Sequence, residues 1–285
     1  MTEIKPSPVL VISIILSFVL LLSLFGFYSS IRPPKIISNI SPADLDLVYE
    51  EVSFITNDGI ILNGWFIPNI KNEAKTLILL HGYPADKGDI LPSLSFLNSE
   101  FNLLLFDFRS MGESEGKIST VGARETEDLL TAIRFLKDRG IEEVGVWGFS
   151  LGGAVAMMTC KKAPEIKAIV SESSYARLDL MTQELYRIPG LKYPLGYLTG
   201  VWSKIFLGIS IRKVSPVESI MGLEIPILVI HSKNDQVIPF EHALLIQETL
   251  RDNPNADFWF EENLFHGQLA EDYNKRILKF FKENL

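Results

Sequence analysis

Five short runs of mainly apolar residues constrain the fold of this chain more than any other feature. They cover residues 76–80, 102–106, 144–147, 166–170 and 226–230. Continuous apolar runs of this length are typical of strands that are buried on both faces of a parallel sheet. Helical patterns lie between most of them, over 121–139 and 240–251, and another closes the chain over 268–284. This alternation predicts an α/β fold with a mostly parallel central sheet and helices on both faces.

A hairpin is predicted before the first of these runs. Residues 48–56 and 60–68 have the pattern of strands, and they flank Asn57-Asp58-Gly59, which is typical of a tight turn. We therefore expect one large α/β domain over residues 44–285.

The N-terminal 28 residues differ from the rest of the chain. Residues 9–28 carry no charge, and 20 apolar or small residues are enough to cross a bilayer as a helix. A cleaved signal peptide is the alternative, but the apolar stretch is longer than usual and no A-x-A site follows it. We expect an uncleaved transmembrane anchor over residues 1–28, and Pro33, Pro34 and Pro42 predict a stiff tether over 29–43. The few flanking Lys and Arg residues lean slightly toward a cytoplasmic domain and leave the side of the membrane open.

Residues 175–215 separate two predicted strands by more than one crossover helix needs. The segment is rich in aromatic residues and holds six basic against two acidic residues. Because it leaves directly from the carboxyl end of a strand, we expect a helical lid, the alternative being a helical excursion that only covers the sheet. Beside an anchor, such a lid indicates contact with anionic headgroups and access to acyl chains. The alternative is a solvated cover whose Lys and Arg stems lie over apolar surface.

Composition excludes some classes of partner. The net charge of −8 argues against a nucleic-acid partner, which needs a basic surface. The single cysteine, Cys160, rules out an internal disulfide, and it is interpreted as a small buried hydrophobic residue. No clustered Cys and His pattern indicates a metal, so we expect neither a metal nor an organic cofactor.

A Gly-x-Ser-x-Gly pattern covers residues 148–152 and places Ser150 between a predicted strand and a helical run of small residues. A strand that turns sharply into a helix holds its serine in a strained, exposed conformation. Glycines on both sides remove Cβ atoms that would collide in so tight a turn. The pattern alone is common in loops, but this setting predicts a nucleophilic serine.

A serine nucleophile needs a base and an acid that orients the base. His266 lies in a loop between the last predicted strand, 257–260, and the final helix, which favours a catalytic base over a structural histidine. Asp235 follows the run 226–230 and precedes His266, so it is the predicted acid rather than a turn-capping aspartate. Glu172 is the alternative acid.

The remaining histidines are interpreted as structural. His81 and His231 end apolar runs, where a histidine is commonly hydrogen-bonded, and His242 begins a helix and is expected to face solvent. The oxyanion that forms during attack needs backbone N–H donors. The predicted donors are Leu151, at the start of the helix after the nucleophile, and Tyr83, in the loop after the first apolar run.

Together these features resemble the α/β-hydrolase superfamily, and more closely its serine-hydrolase branch of lipase-, esterase- and serine-aminopeptidase-like enzymes. The resemblance covers residues 45–285. It rests on the His81-Gly82 loop, the stretch 107–116, the elbow at 148–152, Asp235 and His266. It implies that the 107–116 loop is structural and that Arg109 is not catalytic. This chain has Ser110 where the family usually has glycine after that arginine.

The predicted function is that of a membrane-tethered serine hydrolase that forms an acyl-enzyme and cleaves a carboxylic ester, with apolar acyl groups favoured. Its partners would be a small-molecule or lipid acyl substrate and the membrane. Serine aminopeptidase-like or thioesterase activity is the first alternative. The second is a non-catalytic binding protein on the same scaffold, which three filled triad positions disfavour. The fold does not name the physiological substrate.

Overall fold

The computed structural model describes residues 7–71, 74–186 and 188–285. The chain divides into two compact units. The helical unit comprises Met1–Ile31 and Leu178–Val214, and the sheet unit comprises Arg32–Arg177 and Ser215–Leu285.

The sheet unit is built on one eight-stranded sheet. Its strands are β1 (Glu50–Ile55), β2 (Ile61–Ile67), β3 (Thr76–Leu80), β4 (Asn102–Phe106), β5 (Val144–Phe149), β6 (Ile166–Glu172), β7 (Ile227–Ser232) and β8 (Ala256–Glu261). Their order is β1-β2-β4-β3-β5-β6-β7-β8. The β1–β2 and β2–β4 pairs are antiparallel, and every later pair is parallel. The predicted hairpin and the mostly parallel sheet are confirmed.

Helices cover both faces of this sheet, as predicted. They are α2 (Lys87–Leu94), α3 (Glu125–Asp138), α4 (Leu151–Thr159), α7 (Pro216–Ile220), α8 (Glu241–Thr249) and α9 (Tyr273–Asn284). On one face, α2 and α9 bury Leu91, Leu94, Ile277 and Phe281 against alternate strand residues such as Trp147. The intervening residues of the strands are also buried, because α3 and α4 pack on the opposite face.

Two predicted helices begin later than their apolar pattern, each after a residue with positive φ. Helix α3 begins at Glu125 rather than at Val121, which has φ 48°. The Glu125 carboxylate accepts hydrogen bonds from Thr120 N and Gly122 N and so holds the preceding turn. Helix α9 begins at Tyr273, after Asp272 at φ 58°. Helix α2 was not predicted at all, since it is short and contains a proline.

The helical unit contains α1 (Pro8–Ser30), α5 (Leu178–Glu184) and α6 (Lys192–Leu207), followed by a 3₁₀ turn at Ile211–Lys213. Among the described residues, α1 is the one helix that is long and apolar enough to cross a membrane, with a mean hydropathy of 2.9. Length and composition alone support this, and a signal sequence would satisfy the same criteria. The helix extends two residues beyond the predicted apolar span at its C-terminal end and one at its N-terminal end.

The segment predicted as a tether lies against the sheet unit after Arg32. Lys35 Nζ donates a hydrogen bond to Ser114 O at 2.6 Å, and Ser38 N donates to Asp86 Oδ2 at 2.7 Å. These two hydrogen bonds therefore hold this part of the segment against the rest of the sheet unit.

Candidate active site

The nucleophile elbow has the geometry that its sequence predicts. Strand β5 ends at Phe149 and α4 begins at Leu151, and Ser150 between them has φ 51° and ψ −109°. A non-glycine residue with positive φ is strained by about 1–3 kcal/mol, and such strain is common at functional sites. The turn is held from the neighbouring strand, because Ser150 N donates to Glu172 O at 2.7 Å.

Glycine is required at both ends of the elbow by the close approach of backbone. A Cβ at Gly148 would overlap the backbone of Gly152, and a Cβ at Gly152 would overlap the carbonyl oxygen of Leu80 on β3. The helix can therefore start directly over the strand only if both positions lack a side chain. This explains physically why the pattern has glycine at both ends.

The predicted acid and base are hydrogen-bonded to each other. Asp235 Oδ2 lies 2.7 Å from His266 Nδ1. The other carboxylate oxygen, Oδ1, accepts backbone hydrogen bonds from Val237 N and Ile238 N, both at 2.8 Å. The Asp235 side chain is fully buried, and the His266 side chain is 13% exposed. Burial alone would raise the pKa of Asp235, but the hydrogen bonds from His266 and the two backbone groups outweigh it and lower this pKa below the usual value.

The predicted base also lies beside the elbow. The His266 ring packs on the Phe149 ring with centroids 4.7 Å apart, and Phe149 directly precedes Ser150. Gly267, at φ 78°, brings the backbone after the histidine close to the same phenylalanine ring. Among the described residues, Ser150 Oγ has no hydrogen bond with His266, so the predicted nucleophile and the predicted base are not in hydrogen-bond contact in this structure. Contacts of this kind commonly tighten only when substrate binds.

The two predicted oxyanion donors follow adjacent strands. Leu151 is the first residue of α4, after β5, and Tyr83 follows β3, which pairs with β5 in parallel. Gly82 packs against the elbow, and a Cβ there would lie 3.4 Å from the Ser150 Cβ. The loop thus comes close to Ser150, and the donor role of both N–H groups stays a prediction.

His81 holds this loop in place. Its Nε2 accepts a hydrogen bond from Phe108 N at 3.0 Å, so the ring proton is on Nδ1, which donates to Gly82 O at 2.7 Å. Burial lowers the pKa of His81, which keeps the ring neutral. His81 therefore has a structural role, because its ring fixes the carbonyl group that precedes Tyr83.

Two expectations about neighbouring residues are wrong. The carboxylate of Glu172, the alternative acid, is fully buried and accepts a hydrogen bond from Tyr273 Oη instead of orienting His266. Tyr273 Oη in turn accepts from Trp147 Nε1 at 2.9 Å. His242 is 3% exposed rather than solvent-facing, because its Nδ1 accepts the backbone N–H of Ala176.

His231 lies next to the predicted acid, a contact that the sequence did not reveal. Its Nε2 donates to Ile238 O at 2.9 Å and lies 3.8 Å from Asp235 Oδ2. Burial lowers the pKa of His231, so the ring is neutral next to the carboxylate. The ring therefore packs around the Asp235 turn without competing as a cation for its charge.

The 107–116 loop carries ion pairs rather than catalytic groups. Arg109 binds the buried Asp128 at 2.7 Å and Asp58 at 2.7 Å. The buried ammonium of Lys87 lies 2.7 Å from Asp107, and sequence patterns gave no signal for it because lysine is rarely buried. Ser110 has φ 65°, which explains why glycine is usual at this position of the family.

Neither a metal nor a reactive thiol is indicated near these residues. The described part of the chain contains no group of three or more His, Cys, Asp or Glu side chains that could hold a metal ion. Burial raises the pKa of the Cys160 thiol to about 11, which makes it unreactive.

Comparison with known proteins agrees with this architecture. A family model described as "alpha/beta hydrolase fold" matches residues 75–201. With the sheet order and the elbow, this match shows that the chain has the α/β-hydrolase fold.

Two curated proteins and one solved structure illustrate the similarity. The protein YfhR of Escherichia coli O157:H7 is 31% identical over 203 residues, which is 68% of this chain and 66% of YfhR. The protein YqkD of Bacillus subtilis strain 168 is 30% identical over 216 residues, 70% of this chain and 66% of YqkD. Each match thus spans slightly less than two thirds of the relative. The solved Pyrococcus furiosus esterase Pf2001 is 28% identical with a TM-score of 0.74, and the alignment covers 89% of this chain and 99% of the esterase.

Proposed function

We propose that the chain is a membrane-tethered serine esterase that uses Ser150, His266 and Asp235 as its catalytic triad. The observation that carries this proposal is the Asp235–His266 hydrogen bond, whose histidine ring packs on the residue directly before Ser150. The similarity to the esterase Pf2001 supports the reaction type.

The first step is acylation. Ser150 Oγ attacks the ester carbonyl carbon while His266 Nε2 removes the hydroxyl proton, and the Nδ1–H bond to Asp235 stabilises the resulting imidazolium. The carbonyl oxygen becomes an oxyanion, which the N–H groups of Leu151 and Tyr83 stabilise. Collapse of the tetrahedral intermediate breaks the ester C–O bond, and the alcohol leaves with the proton from His266.

The second step is hydrolysis of the acyl-enzyme. His266 removes a proton from a water molecule, which attacks the acyl carbon of the Ser150 ester. Breakdown of the second intermediate returns the proton to Ser150 Oγ and releases the carboxylic acid. No group outside the triad and the two N–H donors is needed for either step.

Membrane attachment is supported by α1, which has 23 residues, a mean hydropathy of 2.9 and side chains that are largely exposed within the chain. Such a helix is long enough to cross the hydrocarbon core of a bilayer. A tethered esterase would meet substrates that partition into the membrane, and this favours esters with apolar acyl groups.

A substrate panel tests this proposal. The full chain is assayed on p-nitrophenyl esters of increasing acyl length, on acyl thioesters and on aminoacyl arylamides, with Ser150→Ala as the inactive variant. Ser99→Ala serves as the matched control, since Ser99 is an exposed serine that bonds only its own turn. We expect hydrolysis of the esters, rising with acyl length, and its loss in Ser150→Ala alone. Activity on arylamides without ester hydrolysis would replace the esterase proposal by a peptidase.

A further inference from the structure

The N-terminal helix is joined to the predicted lid by a buried polar contact at Ser23. Trp202 Nε1 donates to Ser23 Oγ at 2.9 Å, and Tyr186 Oη donates to Ser23 O at 3.1 Å. Ser23 is fully buried, and its hydroxyl donates back to Leu20 O within α1. Tyr186 Oη also lies 2.8 Å from Thr199 Oγ1 on α6. Every polar side-chain atom at this contact is therefore hydrogen-bonded inside the helical unit.

Small and aromatic residues close the same contact one turn further along α1. A Cβ at Gly26 would overlap the phenol ring of Tyr186, so only glycine permits this approach. The Phe27 and Phe206 rings stack with centroids 6.0 Å apart. Close approach at small residues and satisfied interhelical hydrogen bonds are what helix packing in a bilayer requires.

The other surface of α1 is exposed in the part of the chain that the structure describes. Ser23 and Phe27 are the buried residues of this helix, while its first half presents exposed apolar side chains, including Val9, Ile12, Ile14, Ile15, Leu16 and Phe18. An apolar surface of this length needs an apolar environment. Lipid acyl chains supply one for a helix that packs against protein only near its C-terminal end.

The position of Ser23 along α1 sets the depth of the contact. With about 1.5 Å per residue, α1 is about 35 Å long, and the hydrocarbon core is about 30 Å thick. Ser23 lies four residues from the centre of the helix, hence about 6 Å from the midplane and roughly 9 Å inside the nearer boundary of an upright, centred span. Interfacial helices bury their apolar face by about 5–10 Å. The Trp202 side chain, which reaches Ser23 from α6, therefore lies at the depth of an interfacial helix.

The remainder of the helical unit complements a headgroup surface. Tyr193, Tyr197 and Ile205 on α6 are exposed. Residues 178–214 carry five basic and two acidic side chains, a net charge of +3 in a chain whose total is −8. Aromatic residues concentrate at membrane interfaces, and basic residues bind anionic headgroups there.

From these contacts we infer that α6 packs on the membrane-spanning helix α1 within one leaflet of a bilayer that contains anionic lipid, with the Ser23 contact below the headgroups of that leaflet. The inference rests on the membrane attachment in the proposed function and extends it from α1 to the predicted lid. The predicted lid then contacts the lipid surface rather than bulk water, and α1 remains part of the folded protein.

The test places an environment-sensitive fluorophore on α6. The full chain with Cys160→Ala receives one cysteine at Ile205, labelled with NBD, and is reconstituted in phosphatidylcholine vesicles with or without phosphatidylglycerol. Ile70→Cys is the control, since Ile70 is 97% exposed and lies in the turn before β3, at the end of the sheet opposite the elbow. Brominated acyl chains then serve as the quencher. Fluorophosphonate labelling of Ser150 is measured on the same samples, so that a failure of the proposed catalytic function can be distinguished from a failure of the membrane inference.

The expected result is blue-shifted NBD emission at position 205, quenched severalfold more by brominated lipid than at position 70. Gly26→Leu, which wedges α1 away from Tyr186, should reduce that quenching, whereas Ser17→Leu, the same kind of change at an exposed position of α1, should not. Equal quenching at positions 205 and 70 would overturn the inference. The inference would also be overturned if the emission at position 205 is blue-shifted but is not quenched by brominated lipid, and if the shift grows with protein concentration. That result would indicate that a second copy of the chain covers this face.

Discussion

Replacement of Asp235 by asparagine tests the triad through the tautomer of His266. In the structure, Asp235 Oδ1 accepts two backbone hydrogen bonds, from Val237 and Ile238, and Oδ2 binds His266 Nδ1. The two backbone donors require an oxygen, so they fix the orientation of the amide that Asp235→Asn introduces and turn its NH₂ group toward the histidine. Nδ1 must then act as the acceptor, which places the ring proton on Nε2. A ring with that proton cannot remove one from Ser150.

The size of the effect follows from this geometry. Loss of the correct tautomer in a Ser-His-Asp triad lowers the rate by about 10⁴-fold, which corresponds to about 5.4 kcal/mol in the activation free energy. Stability should change much less, because both backbone hydrogen bonds are kept, and we expect a loss of no more than about 2 kcal/mol. Asp235→Ala differs, since it leaves two buried N–H groups without an acceptor at about 1–3 kcal/mol each.

The assay compares kcat/KM on a p-nitrophenyl ester with the free energy of unfolding in urea for the wild type and both variants. The expected pattern for Asp235→Asn is a large catalytic loss in a protein that stays folded. A loss of less than about tenfold, or one that simply follows the fraction unfolded, would refute the tautomer argument.

Two further predictions concern buried ionisable side chains. Burial raises the pKa of Glu172 from 4.5 to about 7, so the folded chain keeps this proton at pH values where the unfolded chain has lost it. Its contribution to stability is therefore complete below pH 4.5 and falls by up to about 3 kcal/mol as the pH rises to 7. Glu172→Gln, which can still bind Tyr273, should remove this slope in urea unfolding at a series of pH values, and an unchanged slope would contradict the assignment. Lys87→Met leaves the buried Asp107 carboxylate without its cation and should lower the free energy of unfolding by about 3–5 kcal/mol. Lys71→Met, which removes an exposed ion pair, should lower it by less than about 1 kcal/mol. Equal losses in the two variants would contradict the role of burial.

The sheet and the elbow could be predicted because both depend on local rules. A strand buried on two faces must be apolar throughout, and β3 to β7 have this pattern. The elbow allows only glycine where Gly148 and Gly152 meet backbone atoms, so its pattern is visible in the sequence. The order of acid and base along the chain then follows from the order of the strands.

What the sequence could not reveal depends on contacts between distant residues. Glu172 and Asp235 both follow apolar runs, and only the position of Tyr273 decides that Glu172 binds a phenol and not the histidine. His242 has the setting of a surface residue but is covered by the chain at Ala176. Ser23 is one of several serines in α1, and its role comes entirely from the residues of the 178–214 segment that reach it.

The most direct test of the central claim is covalent labelling of the full chain with a fluorophosphonate probe, followed by peptide mass spectrometry. We predict one adduct, on Ser150, that is absent in Ser150→Ala, strongly slowed in His266→Ala and unchanged in Ser99→Ala. An adduct on another residue, or labelling of Ser150→Ala at the rate of the wild type, would contradict the assignment of Ser150 as the nucleophile.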